Sequence, residues 1–481
     1  MECLWKILLK NQFHDILPRT SITPVHETAV GELEQCRRDA HSLIARLGGI
    51  DAGQDEDFTV LLENSRAWER SHLILSGLPS GAAPAGNIEW QKLRTIDDED
   101  QLMVHGIVLP GMGAQKVSLT RSTAECSGGE AFYTYQDDIL ETPCYLLKFG
   151  KLGEIVSLED KRAEREIVGS GGALNKLMLG EDLPVLWDNW DIDVDQHMRM
   201  KLLAGRGAWT IEQEGPLQIR LSNSFKAGKS SLVKQHLVLY RNSPLIEFDT
   251  RVDRQEEHKL LKAEFDLAIQ TERARHEIQY GHLERNTHEN YSQDRMQFEV
   301  SNHRWTDLSE PGYGVALLND CKYGITVKGS TMGLSLLKSG THPDPSADRG
   351  VHSFRYALLP HEGPFSTAAV IRPACEFGSP LTILSSGFES ERVSSFLSFS
   401  EENILVESIK QAEDRDGLIV RFYESEKKQT RCTLSFITKP VQVWECNMLE
   451  EKCEKQPIDD KGHITVNLHG FEIKSLKVSW R

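Results

Sequence analysis

Apolar residues at Leu4, Trp5, Leu8, Leu9 and Phe13 recur at helical spacing, which predicts an amphipathic helix with one buried face, punctuated by Pro18. A second helix follows, with Thr23 as N-cap and Pro24 in the first turn. Its stripe runs through Val25, Ala29, Leu33, Cys36, Ala40, Leu43 and Leu47 until Gly48-Gly49 stops it. An isolated pair of helices hides little apolar area, so these stripes call for partner helices, expected upstream.

Beyond a Gly/Asp linker at residues 50–54 the period switches from about 3.6 to 2, and strands take over. Phe58-Thr59-Val60-Leu61 and Met103-Val104-His105-Gly106-Ile107-Val108 mark a first β-rich segment. In the central block, Ile246 to Asp253 alternates apolar and charged residues, which predicts a half-exposed strand, and Leu217, Ile219, Leu221, Leu237 and Leu239 repeat the pattern. A last β-unit contains Leu397-Ser398-Phe399, Leu418 to Tyr423 and Leu476 to Trp480, with Glu424 to Lys428 as a solvated hairpin tip. The expected fold is mainly β with a short N-terminal helical part. The expected units are 1–48 (helical), 55–127 (small, β-rich), 130–372 (a large antiparallel sandwich) and 380–481 (a smaller sandwich).

The chain has 481 residues, 39% of them hydrophobic, enough for two to four cores at roughly 100–200 residues each. A formal net charge of -17 argues against nucleic acid or an anionic membrane as partner and is silent on neutral sugars. Nine cysteines, an odd count with no Cys-x-x-Cys, read as reduced thiols in a cytoplasmic protein. Lys6 and Lys10 interrupt the first apolar stretch, so no secretory segment is expected, nor is any apolar run of about 18 residues present to span a membrane.

Several constellations bear on chemistry. His14-Asp15 closes the first helix: a neutral imidazole is the commonest metal ligand and a neighbouring carboxylate can touch a hydroxyl, but the same pair also reads as a satisfied surface contact. Gly228-Lys229-Ser230 ends like a phosphate loop, yet Asn223 stands where that motif needs Gly, which favours a hairpin turn. Asp191, Asp193 and Asp195 suit calcium only without the Gly that an EF-hand loop requires, since Gln196 occupies that place. Trp187 and Trp190 read as buried anchors or as a sugar-stacking platform. His342-Pro343-Asp344 lies in a turn-rich loop, and His282, Glu284, Arg285 and His288 read first as structural hydrogen bonding.

The segment Leu4 to Pro18 followed by Thr20-Ser21-Ile22 resembles the last active-site motif of glycoside hydrolase family 38 α-mannosidases. The resemblance continues in Trp187 to Asp193, His258-Lys259-Leu260-Leu261-Lys262, Ile278 to His288, His303-Arg304-Trp305 and Ser309 to Asp320. It covers essentially the whole chain but only the C-terminal portion of that architecture. It implies a galactose-mutarotase-like super-sandwich and, for the complete enzyme, retaining hydrolysis of terminal α-mannose from oligosaccharides, with one carboxylate as nucleophile and a second carboxyl as acid/base.

Zinc is the implied cofactor. By position, His14 matches a family zinc ligand and Asp15 the carboxylate that contacts the sugar; the nucleophile, acid/base and other ligands match no residue in this chain. They belong to a catalytic barrel, expected upstream or on a separate polypeptide, because the thirteen residues before His14 cannot hold it. Arg19 stands where the family has Gly, which implies a different turn, modest strain, or an Arg reaching toward substrate. Three functions remain open: an α-mannosidase part inactive as an isolated chain, a stand-alone carbohydrate-binding module, and a scaffold without a ligand. An exposed apolar face along residues 4–47 would favour the first.

Overall fold

The computed structural model describes residues 2–48, 57–385 and 392–480. Two helices, α1 (Glu2–Lys10) and α2 (Thr23–Gly48), pack as a hairpin. Buried Asn11 joins them, its amide donating to the Ile7 carbonyl at 2.9 Å and to Glu32 Oε2 at 3.0 Å. Thr23 is already helical and its hydroxyl leaves the helix for Asp344, so the expected N-cap role is not the one it plays. Gly49 of the expected stop lies outside the described residues.

The rest of the described chain is a mainly β sandwich fold built from antiparallel ladders. A six-stranded sheet, with Lys176–Glu181, Lys259–Asp266 and Thr331–Lys338 adjacent, faces a nine-stranded sheet centred on Ser231–Tyr240, Ser243–Arg254 and Gly350–Glu362. Between them Phe248 stacks on Tyr356 at 5.2 Å, and Phe265 of the other sheet meets Tyr356 edge-on at 6.1 Å. A closed polar circuit runs through this core. Tyr356 donates to Asn175 (2.8 Å), Asn175 to Gln235 (2.7 Å), and Gln235 to both Tyr356 (2.7 Å) and Thr250 (2.9 Å). Each buried group has a partner, so the circuit orders the core without a desolvation penalty.

The small β-unit lies on the outer face of the nine-stranded sheet. The Gln91 side chain accepts from the backbone N–H groups of Leu217 (3.0 Å) and Gln218 (2.9 Å) and donates to the Gln218 carbonyl (3.0 Å). Leu93 and Met103 pack on Leu217, Val238 and Tyr240. This corrects the half-exposed strand expected at Ile246 to Asp253 over its first half, where Glu247 and Asp249 point away from the aromatic core yet are buried under the small unit, whereas Arg251 is half-buried and Asp253 exposed as expected. The strand Thr382–Ser385 pairs with Asp57–Asn64 of the small unit, and a five-stranded and a three-stranded sheet enclose the last core around Phe422, Leu434 and Leu476. The expected solvated tip there is half buried. Glu424 is fully enclosed and accepts from the Asn403 amide (2.7 Å) and from the backbone N–H groups of Glu426 (2.7 Å) and Phe471 (2.9 Å).

Candidate functional site

Helix α1 stops at Lys10, so His14 and Asp15 sit in the turns that follow rather than on the helix. Those turns are held by Ile16 N–H to Phe13 (2.9 Å) and Thr20 N–H to Asp15 (3.1 Å), and the Thr20 hydroxyl donates to Asp15 Oδ1 at 3.0 Å. Asp15 Oδ2 is 3.5 Å from His14 Nε2, and the His14 side chain is 68% exposed. The carboxylate is therefore oriented from one side and shared with the imidazole on the other.

The next residues tie this turn to the large sandwich. Arg19 adopts φ +58, the left-handed conformation that a glycine would take without strain, and turns its guanidinium to Asp344 Oδ2 at 3.4 Å. It does not reach into an open cleft. Asp344 Oδ1 also accepts from the Thr23 hydroxyl (2.7 Å), the Ser346 N–H (3.0 Å) and the Ser346 hydroxyl (2.9 Å). Burial opposes ionisation of Asp344, but these hydrogen bonds and the Arg19 charge outweigh it and hold the carboxyl down at about 2.

A second loop converges on the same place. The Asn189 N–H donates to the His342 carbonyl at 3.0 Å, its side-chain amide reaches the Arg19 carbonyl at 3.5 Å, and Trp190 meets the His14 ring edge-on at 6.5 Å. Asp188 anchors the loop by accepting the Thr341 hydroxyl (3.1 Å) and the His342 N–H (3.2 Å), with His258 Nδ1 3.4 Å away. The His14-Asp15 turn, the Trp187 to Asp193 segment, His258 and the His342-Pro343-Asp344 loop thus form one cluster. The sequence names Thr23, Asp344 and the segment holding Asp188, but nothing in it joins them or Thr341 to His14. An Asp two places before a Ser signals a local turn, but nothing in sequence pairs Asp344 with Arg19 across so long a separation.

The exposed rings of Phe13 and Trp190 lie 4.1 and 6.5 Å from the His14 ring, and along the same two segments Trp5, Leu9 and Leu17, and Leu186, Trp187 and Met198, are likewise each more than half exposed, while α1 buries no residue. The buried face expected for α1, and the buried anchoring expected of the two tryptophans, are both absent from the described structure. A patch of this kind marks an interaction surface.

Residues 140–346 match the glycosyl hydrolases family 38 C-terminal domain, and residues 403–476 match the glycosyl hydrolases family 38 C-terminal beta sandwich domain. The chain belongs to glycoside hydrolase family 38. Its family 38 relatives include alpha-mannosidase 2C1 of Homo sapiens, 33% identical over 97% of this chain and 43% of that protein, and alpha-mannosidase G of Dictyostelium discoideum, 30% identical over 98% of this chain and 47% of that protein. The chain thus spans less than half the length of these relatives. A crystal structure of an alpha-mannosidase from Enterococcus faecalis V583 has the same fold, with a TM-score of 0.76 at 14% identity, over 99% of this chain and 63% of that one.

A catalytic zinc in this family setting needs about three protein ligands and an open position. The turn supplies one imidazole and one adjoining carboxylate, and among the described residues no group of three or more His, Cys, Asp or Glu side chains is placed to hold a metal ion. The residues present do not make a zinc site by themselves. Asp191, Asp193 and Asp195 follow separate paths: Asp193 accepts from the Val185 N–H and Asp195 pairs with Arg199.

The remaining motifs are structural. At Gly228-Lys229-Ser230 the chain makes a hairpin turn whose N–H groups go to Glu256 Oε1, at 2.6 Å from Lys229 and 2.7 Å from Ser230. His282 is buried among Trp305, Phe365 and Phe471. Glu284 pairs with Arg275 and His288 with Asp294.

Proposed function

We propose that this chain is the C-terminal part of an α-mannosidase that removes terminal α-mannosyl residues from oligosaccharides, inactive as an isolated chain and active when a barrel polypeptide covers the apolar surface around His14. The observation that carries this reading is the pairing of half a site with an uncovered face: His14 and Asp15 are held in place by Thr20, Arg19 and Asp344, and the aromatic and aliphatic side chains beside them have no cover. An apolar patch that borders an oriented ligand pair is what a second body completing the site would bury.

In this reading Asp15 contacts sugar hydroxyls, and Thr20 holds its carboxylate ready to accept from them. His14 serves as one zinc ligand, the remainder coming from residues that are not among those described. Bound zinc would grip sugar hydroxyls; the residues of this chain orient and do not themselves attack. The nine free cysteines support a reducing compartment, and we place the protein in the cytoplasm. No helix among the described residues is long and apolar enough to cross a membrane.

The test is the purified chain, zinc and an aryl α-mannoside. We expect no turnover, and zinc binding no tighter than that of His14→Ala; turnover by the chain alone would overturn the proposal.

A further inference from the structure

The small β-unit does not close fully on the large sheet. Between them lies a cavity of about 530 Å³, a size that accommodates a small ligand, and none of its lining residues belongs to the His14 cluster. Its floor is the outer face of the nine-stranded sheet, where Gln218 and Arg220 of one strand stand near Glu247 and Asp249 of another.

Four polar atoms of the lining residues are buried without a hydrogen-bond partner: Arg70 Nε, which has Glu376 Oε2 3.7 Å away, Arg220 Nε, Gln218 Oε1 and Asp320 Oδ1. Arg220 is only 5% exposed and Gln218 only 2%. Such orphaned groups each cost about 1–3 kcal/mol if left unpaired, so a folded protein keeps them where ordered water or a ligand that displaces it fills their valence. The neighbours are already engaged. Glu247 accepts from the Tyr240 hydroxyl (2.7 Å) and Arg355 (3.3 Å), and Asp249 accepts from the Ile96 N–H (3.2 Å).

The chemistry of the orphans selects the ligand. Two are donors and two are acceptors. An anion would satisfy Arg70 and Arg220 but oppose Gln218 and Asp320 in a lining with six carboxylates and three arginines. A cation would satisfy the two acceptors but meet Arg220 with like charge. A hydroxyl donates and accepts at once, and several on one ring answer all four. Leu245, Phe354 and Phe377 supply apolar wall for the C–H face of such a ring.

We propose that this cavity is a second site, independent of barrel docking, for a neutral polyhydroxylated ligand of mono- or disaccharide size, held by Arg220, Gln218 and Asp320. The experiment is saturation-transfer NMR with titration calorimetry on the full chain, using methyl α-mannoside and mannobiose as probes and inorganic phosphate as the anionic control. Both Arg220→Gln and Asp320→Asn should weaken sugar binding about tenfold, the loss of one good hydrogen bond to a ligand, while Lys455→Ala, on an exposed strand away from the cavity lining, leaves it unchanged. If Arg220→Gln fails to fold, as judged by its melting curve, Asp320→Asn decides alone, because its side chain is partly exposed. The proposal is overturned if neither sugar binds at millimolar concentration, if phosphate binds in preference to sugar, or if the folded variants bind sugar as the unmodified chain does.

Discussion

Arg19 shows how a single residue is held between opposing terms. Its φ of +58 costs an L-residue roughly 1–2 kcal/mol, and its ion pair with the enclosed Asp344 offsets that cost. Arg19→Ala keeps the strain and loses the pair, whereas Arg19→Gly loses both. Thermal melts should therefore find the alanine variant less stable than the glycine variant by about 1 kcal/mol, and equal stability would contradict the strain. Two carboxyls give opposite dependences on pH. Asp344 is held at about 2 against an ordinary 3.8, so its contribution is complete above 3.8 and is lost as the pH falls through 2. Burial, with Glu247 alongside, pushes Asp249 up to about 7. The unfolded chain then ionises first, and stability falls as the pH rises from 3.8 to 7. Asp249→Asn should stabilise the chain in denaturant melts at pH 8, by roughly 2–4 kcal/mol, and much less at pH 4; an equal gain at both would refute the shift.

At the scale of elements, periodicity made the helices and strands readable, because burial on one face imprints a period of about 3.6 or 2 on the sequence. It could not tell which body covers a face. The stripe Trp5, Leu9 and Phe13 signalled a buried side of α1 that the described chain leaves open, and Glu247 and Asp249 signalled solvent where the small β-unit lies. The family motifs around His14 and Trp187 to Asp193 were legible as local strings, but their convergence depends on the Arg19–Asp344 and Asn189–His342 contacts, which join distant segments. The open face yields a prediction of its own. Phe13→Asp and Leu17→Asp remove exposed apolar area, so each should change the stability of the isolated chain by no more than about 0.5 kcal/mol in denaturant melts while preventing any barrel from docking. A large loss of stability would place those side chains inside the fold instead.

For the whole molecule, three β-units, each with its own core, form a support that carries the oriented His-Asp turn, and the chain spans less than half of its human relative. In the proposed reading the support positions the turn and the remaining zinc ligands come from a second body, since among the described residues no group of three or more His, Cys, Asp or Glu side chains is placed to hold a metal ion. The most direct measurement is aryl α-mannoside hydrolysis by this chain, by a family 38 barrel polypeptide, and by the two mixed with zinc. Hydrolysis should arise only in the mixture and fall at least about a hundredfold with His14→Ala, the scale on which a metal ligand matters. Hydrolysis by this chain alone, or a mixture indifferent to His14→Ala, would contradict the account.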